Sequence, residues 1–105
     1  MRSDEIRRVT VIGAGLMGHG VAQELGVAGY DVHLLDCTEE ITQKALTNIQ
    51  EDLERLLGFG LVTVEQVESA RVGIQATTVM EEAVKDTDLV IEAVYEDLAL
   101  KQKVF

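Results

Sequence analysis

Proline and tryptophan are absent, cysteine occurs once, at Cys37, and there are only two tyrosines and two phenylalanines. Without proline, breaks between elements must come from glycine, and no proline-rich linker, repeat or low-complexity tract divides the chain. A lone cysteine excludes an internal disulfide framework, and with only His19 and His33 beside it there is no set for a structural zinc ion. Positive charge is also scarce: nine Lys and Arg stand against 19 Asp and Glu, a formal net charge of -10. Such a field repels phosphate backbones and anionic lipid, which makes nucleic acid and anionic membrane poor partners, and neither is expected. Any phosphate must be held locally.

Long apolar runs are missing too. The longest uncharged stretch, Val9 to Gln23, is broken by four glycines and His19, and falls short of the about 20 residues that span a bilayer. Arg7 and Arg8 ahead of it superficially suggest a secretory signal. Asp4 and Glu5 dilute that charge, however, and a helical periodicity continues past any cleavage point. The chain reads as cytoplasmic or organellar.

What is present suits one domain: 105 residues, 47% of them hydrophobic, can build a core. Val9–Ile12 is a short β-branched strand, followed by a helix over Leu16–Ala28 that stops at Gly29. Val32–Leu35 is a second strand. Thr38 caps a helix from Glu39 to about Leu57, whose Ile41, Ala45, Ile49, Leu53 and Leu56 recur at helical spacing. Thr63 and Gln66 form a capping box for a short helix to Ala70. A strand near Val72–Ala76, a helix near Val79–Val84 and the almost wholly apolar strand Leu89–Val94 follow. Apolar strands alternating with helices imply parallel strands buried on both faces.

The hexapeptide Gly13-Ala14-Gly15-Leu16-Met17-Gly18 lies between the first strand and the first helix and matches Gly-x-Gly-x-x-Gly. Gly13 permits the tight turn, Gly15 lets backbone approach a pyrophosphate, and Gly18 lets the helix pack closely on the strand. Free N–H groups and the helix dipole would supply the local anion site that the overall charge cannot. Asp36 ends the second strand 18 positions after Gly18, near the offset of about 20 at which an acid binds the adenosine ribose. A carboxylate there repels a 2′-phosphate, and Cys37, Thr38 and Glu39 include no arginine to receive one, so NAD rather than NADP is implied. The fold class is α/β: a doubly wound (Rossmann) parallel sheet, its first four strands ordered 3-2-1-4. His19, in the first helical turn, could approach the pyrophosphate but reads more simply as a partly exposed helix residue. His33 reads as a strand residue, and Cys37 as space-filling, since nothing beside it depresses a thiol pKa.

Taken together, Val11-Ile12-Gly13-Ala14-Gly15-Leu16-Met17-Gly18, Asp36, and the segment Ile91-Glu92-Ala93-Val94-Tyr95-Glu96-Asp97-Leu98-Ala99-Leu100-Lys101 resemble the NAD-binding domain of the 3-hydroxyacyl-CoA dehydrogenase family. The likeness covers nearly the whole chain, and the Glu-Ala-x-x-Glu-x-Leu-x-x-Lys segment is its most particular part. The resemblance implies NAD as cofactor, with Glu96 and Lys101 beside the nicotinamide end; an ordinary helical Glu-to-Lys pair is the alternative reading of Lys101. It implies oxidation of the 3-hydroxyl of an acyl-CoA, a substrate partner, by a histidine and a glutamate that lie in the family beyond Phe105, as does the helical dimerisation domain. Residues 1–105 are therefore expected to be an N-terminal part that is inactive by itself. Where acyl-CoA-using members carry a serine and a lysine, this chain has Asp52 and Phe59, neither a cation for phosphate. A non-CoA hydroxy acid such as gulonate is thus an alternative substrate, and a non-catalytic NAD-binding module is an alternative role. With no fifth strand, Leu89–Val94 would be an exposed apolar edge, and homo-oligomerisation through it or through a terminal helix is expected.

Overall fold

The computed structural model describes residues 6–13, 16–94 and 97–102. Val9, Thr10 and Val11, stiff β-branched residues, form the buried centre of strand β1 (Arg8–Ile12). Helix α1 (Leu16–Val27) leads to β2 (Asp31–Leu35), and α2 (Glu39–Gly58) begins at Thr38, whose side-chain oxygen accepts from the Ile41 N–H at 3.2 Å. The buried stripe of α2 is Thr42, Ala45, Ile49 and Leu53. Ile41, expected on that stripe, is 37% exposed instead. Thr42 can take the inner position because its hydroxyl is satisfied by the Glu39 carbonyl at 2.9 Å.

Both bonds of the Thr63–Gln66 capping box are present at the start of α3 (Val64–Gly73). This helix runs further than its periodicity suggests. Ile74 N–H still bonds back to the Ala70 carbonyl, so Val72 stays helical and 63% exposed, and β3 (Ile74–Thr77) starts two residues later than expected. A short α4 (Met80–Val84) precedes β4 (Leu89–Val94).

The sheet order is β3-β2-β1-β4-β5, the first four strands being parallel. Register sets Val9 beside Val32 and Leu89, Val11 beside Leu34 and Ile91, and Val32 beside Ile74. The valines and leucines of these rows close over α1, α2 and α3 in one core with Ala22, Ala45, Ile49, Leu53 and Ala70. Intervening positions point the other way, as a strand's period of two requires. There Thr10 donates to the Ala83 carbonyl at 2.5 Å and lies 2.8 Å from the Thr87 hydroxyl, both threonines being fully buried.

The expectation of only four strands, an open β4 edge and a terminal helix is corrected. Residues Asp97–Gln102 form a fifth strand, β5, antiparallel to β4 from Val94↔Asp97 to Leu89↔Gln102. Two residues separate the strands, so the pairing is local and needs little loop closure, and it satisfies backbone groups that an open edge leaves bare.

Candidate functional site

Gly13 follows β1 with φ +102°, and its N–H donates to the Leu35 carbonyl at 2.7 Å, tying the turn to the end of β2. A Cβ at this position would lie 2.1 Å from the Ala93 carbonyl oxygen, and one at Gly18 would lie 1.5 Å from the Gly13 carbonyl oxygen. No side chain fits at either place. The turn is thus wedged between β1 and β4 with α1 seated directly on it, the close approach that a larger residue would prevent. Ala14 and Gly15 lie outside the described residues. The first turn of α1 carries no acid, whereas α2 opens with Glu39 and Glu40, α3 with Glu65 and α4 with Glu81 and Glu82. Acids normally complement the positive end of a helix dipole, so α1 leaves that end available to another anion.

Asp36 stands at the carboxyl end of β2. Its N–H bonds to the Thr77 carbonyl at 3.4 Å, and its Oδ1 accepts from the Cys37 N–H at 2.6 Å, which holds the carboxylate at the strand end. A cleft of about 370 Å³ opens there, lined by Ile12, Gly13, Leu35, Asp36, Cys37, Thr78 and Met80. The ends of β1, β2 and β3 therefore converge on one mostly apolar slot with a single acid, where open α/β sheets receive ligands. Thr78 and Met80 were not singled out from the sequence. The strand order would have revealed them, since they follow β3, the neighbour of the strand that ends in Asp36.

The fold brings together Gly13, Leu16, Met17, Gly18 and Asp36 along the turn, the start of α1 and the end of β2. Lys101 does not join them. It sits in β5 opposite Val90, four residues back from the carboxyl end of β4. Glu96 lies outside the described residues. Cys37 is exposed, and the hydrogen bond and charge of Asp36 push its thiol pKa up, against thiolate formation. Asp52 accepts from Gln23 Nε2 and from Arg55, both at 3.0 Å, which ties α2 to α1; Phe59 is 72% exposed at the end of α2. A larger hollow of about 680 Å³ lies at the opposite, amino end of β2, beside Tyr30, Val64 and Val72. Of its acids Asp31, Glu65 and Glu68, the first and last are engaged by Arg8 and Arg71, and a Cβ at its turn glycine, Gly29, would meet open space rather than the close backbone found at Gly13 and Gly18, so the smaller cleft is the better candidate.

Sheet order, glycine turn and strand-end acid define a Rossmann-type domain of the dehydrogenases. The chain belongs to the family "3-hydroxyacyl-CoA dehydrogenase, NAD binding domain", which matches residues 8–105. It is 39% identical over 105 residues to the mitochondrial hydroxyacyl-coenzyme A dehydrogenase of Rattus norvegicus, covering 95% of this chain and 33% of the relative. It is 38% identical over 103 residues to the 3-hydroxybutyryl-CoA dehydrogenase of Mycobacterium tuberculosis, covering 98% of this chain and 36% of that protein. The crystal structure of (S)-3-hydroxybutyryl-CoA dehydrogenase from Ralstonia eutropha superposes with a TM-score of 0.81 at 35% identity, over 89% of this chain and 32% of that one. The chain thus spans about a third of the length of these relatives.

Proposed function

We propose that this chain binds NAD and forms the cofactor-holding part of a dehydrogenase that oxidises the 3-hydroxyl of a 3-hydroxyacyl-CoA to the 3-oxo product. The observation that carries the reading is the seat without side chains: Gly13 and Gly18 leave no room for a Cβ beside the acid-free start of α1, and Gly13 lines one cleft with Asp36. In this reading the backbone of residues 13–18 holds the pyrophosphate, Asp36 accepts hydrogen bonds from the adenosine ribose, and Ile12, Leu35, Thr78 and Met80 enclose the adenine. Glu96, two positions past β4, is assigned to the nicotinamide end by the family resemblance. The cofactor supplies a hydride acceptor. Neither His19, on α1, nor His33, in mid-strand, is assigned the substrate proton.

The test is calorimetric titration of the chain with NADH and NADPH. The carboxylate of Asp36 should favour NADH by more than about tenfold, since an unneutralised acid facing a 2′-phosphate costs well over one kcal/mol. Equal affinities would overturn the ribose assignment.

A substrate that is not a CoA ester, a hydroxy acid such as gulonate, is the second reading, and one observation favours it. Asp52 and Phe59 stand where acyl-CoA-using members carry a serine and a lysine; Asp52 is committed to Gln23 and Arg55, and neither offers a cation to a phosphate. Comparing turnover of 3-hydroxybutyryl-CoA and gulonate by an enzyme that joins this chain to the histidine and glutamate the family resemblance implies decides between them.

A further inference from the structure

The wall of the cleft opposite Asp36 is the loop from β3 into α4, and it has little burial to hold it. Val79 is 46% and Met80 52% exposed, and α4 itself is a helix of five residues whose leading Val79 offers no side-chain cap. One side chain fastens this loop at both ends. Thr77 Oγ1 accepts from the Val79 N–H at 3.0 Å and donates to Glu82 Oε2 at 2.9 Å. The first bond closes a tight turn around Thr78, and the second reaches across to the middle of α4. The same residue's carbonyl accepts from the Asp36 N–H, so the backbone that presents the acid and the side chain that shapes the opposite wall meet at Thr77.

We propose that Thr77 and Glu82 are positioning residues for the cofactor cleft: their clasp holds Thr78 and Met80 at the spacing from Asp36 that receives the adenosine half. This rests on the NAD reading above and extends it to residues that do not line the cleft themselves. Thr77→Val removes the hydroxyl with little change of shape, releasing both bonds while the β3 pairing remains. Thr77→Ser keeps a hydroxyl able to make both. Glu82→Ala removes only the acceptor on α4.

The experiment is titration of the wild-type chain and the three variants with NADH and, separately, with AMP, alongside thermal unfolding of each. Losing a partly exposed pair of hydrogen bonds that pre-orders a loop should weaken NADH about fivefold in Thr77→Val and somewhat less in Glu82→Ala. AMP should weaken by the same factor, because the clasp acts on the adenosine end alone. Thr77→Ser should bind within about twofold of wild type, which separates the hydroxyl's role from general damage to β3. Unchanged affinity in Thr77→Val, or a serine variant as weak as the valine one, would overturn the inference and leave the cofactor reading standing. A wild-type chain that binds neither NADH nor AMP would overturn the cofactor reading, and the clasp's role with it.

Discussion

The two faces of the sheet are built from alternate residues of the same strands and obey different rules. Toward α1, α2 and α3, the residues Val9, Val11, Val32, Leu34, Ile74 and Ile91 make an apolar layer closed by Ala22, Ala45, Ile49, Leu53 and Ala70. Toward α4, the buried side chains include Thr10 and Thr87, whose hydroxyls are tied to each other and to the carbonyls of Ala83, Arg8 and Leu89. His33 is half-buried on its strand, with Nε2 closed off from solvent and unpartnered. The first face holds by volume and area removed from water, the second by directed bonds under a thin cover. The difference bears on the site, because the cleft beside Asp36 takes one wall from the loop into α4, on the weakly covered side.

The comparison is sharpened most by a cavity on the thick face. Leu53 is fully buried among the core residues, and Leu53→Ala should cost roughly 2–5 kcal/mol, read as a lower urea midpoint with an unchanged slope. A loss below about 1 kcal/mol would show that this face is not tightly packed.

On the thin face, Thr10→Val keeps volume and removes the donor to Ala83 and the contact with Thr87. It should cost about 1–3 kcal/mol, because a buried carbonyl and a buried hydroxyl lose a partner, while Thr10→Ser should recover much of the loss. If valine proves neutral, the distinction between the faces fails.

The smallest expected effect is on pH dependence. Burial, then the nearby charge of Arg8, lower the pKa of His33, against the opposing pulls of Asp31 and Glu82. The unfolded chain therefore takes up this proton first as pH falls through about 6.5, and the folded state loses stability from there until its own His33 protonates. Asp88 acts lower on the scale. Its carboxylate accepts the N–H groups of Arg8 and Arg7, which holds its pKa below the ordinary value, so its contribution is present at neutral pH and lost as pH falls through that depressed value. A melting temperature flat near pH 7 and declining below about 6.5 is expected, with the upper part of the decline removed in His33→Val. An unaltered decline in that variant would assign it to other groups.

Much of this was decided over short stretches of chain and was legible there. The β-branched run ending in glycine, the spacing from Gly18 to Asp36, the Thr38 cap and the Thr63–Gln66 box depend on neighbours within a few residues, or on a periodicity that the chain itself carries. Parallel strands followed from the same alternation, and their order 3-2-1-4 from the dinucleotide-binding pattern that the glycine turn and the following acid mark. Contacts between distant segments could not be read this way. That a Cβ at Gly13 would strike the Ala93 carbonyl, that the Thr77 carbonyl meets the Asp36 N–H, and that Asp52 accepts from Gln23 all depend on where separate elements come to rest. The segment after Val94 is the sharpest case. Its Asp97-to-Lys101 spacing of four suits a helix surface as well as anything local can, yet Asp97–Gln102 pairs as a strand, because an apolar edge two residues away offers backbone partners that no periodicity records.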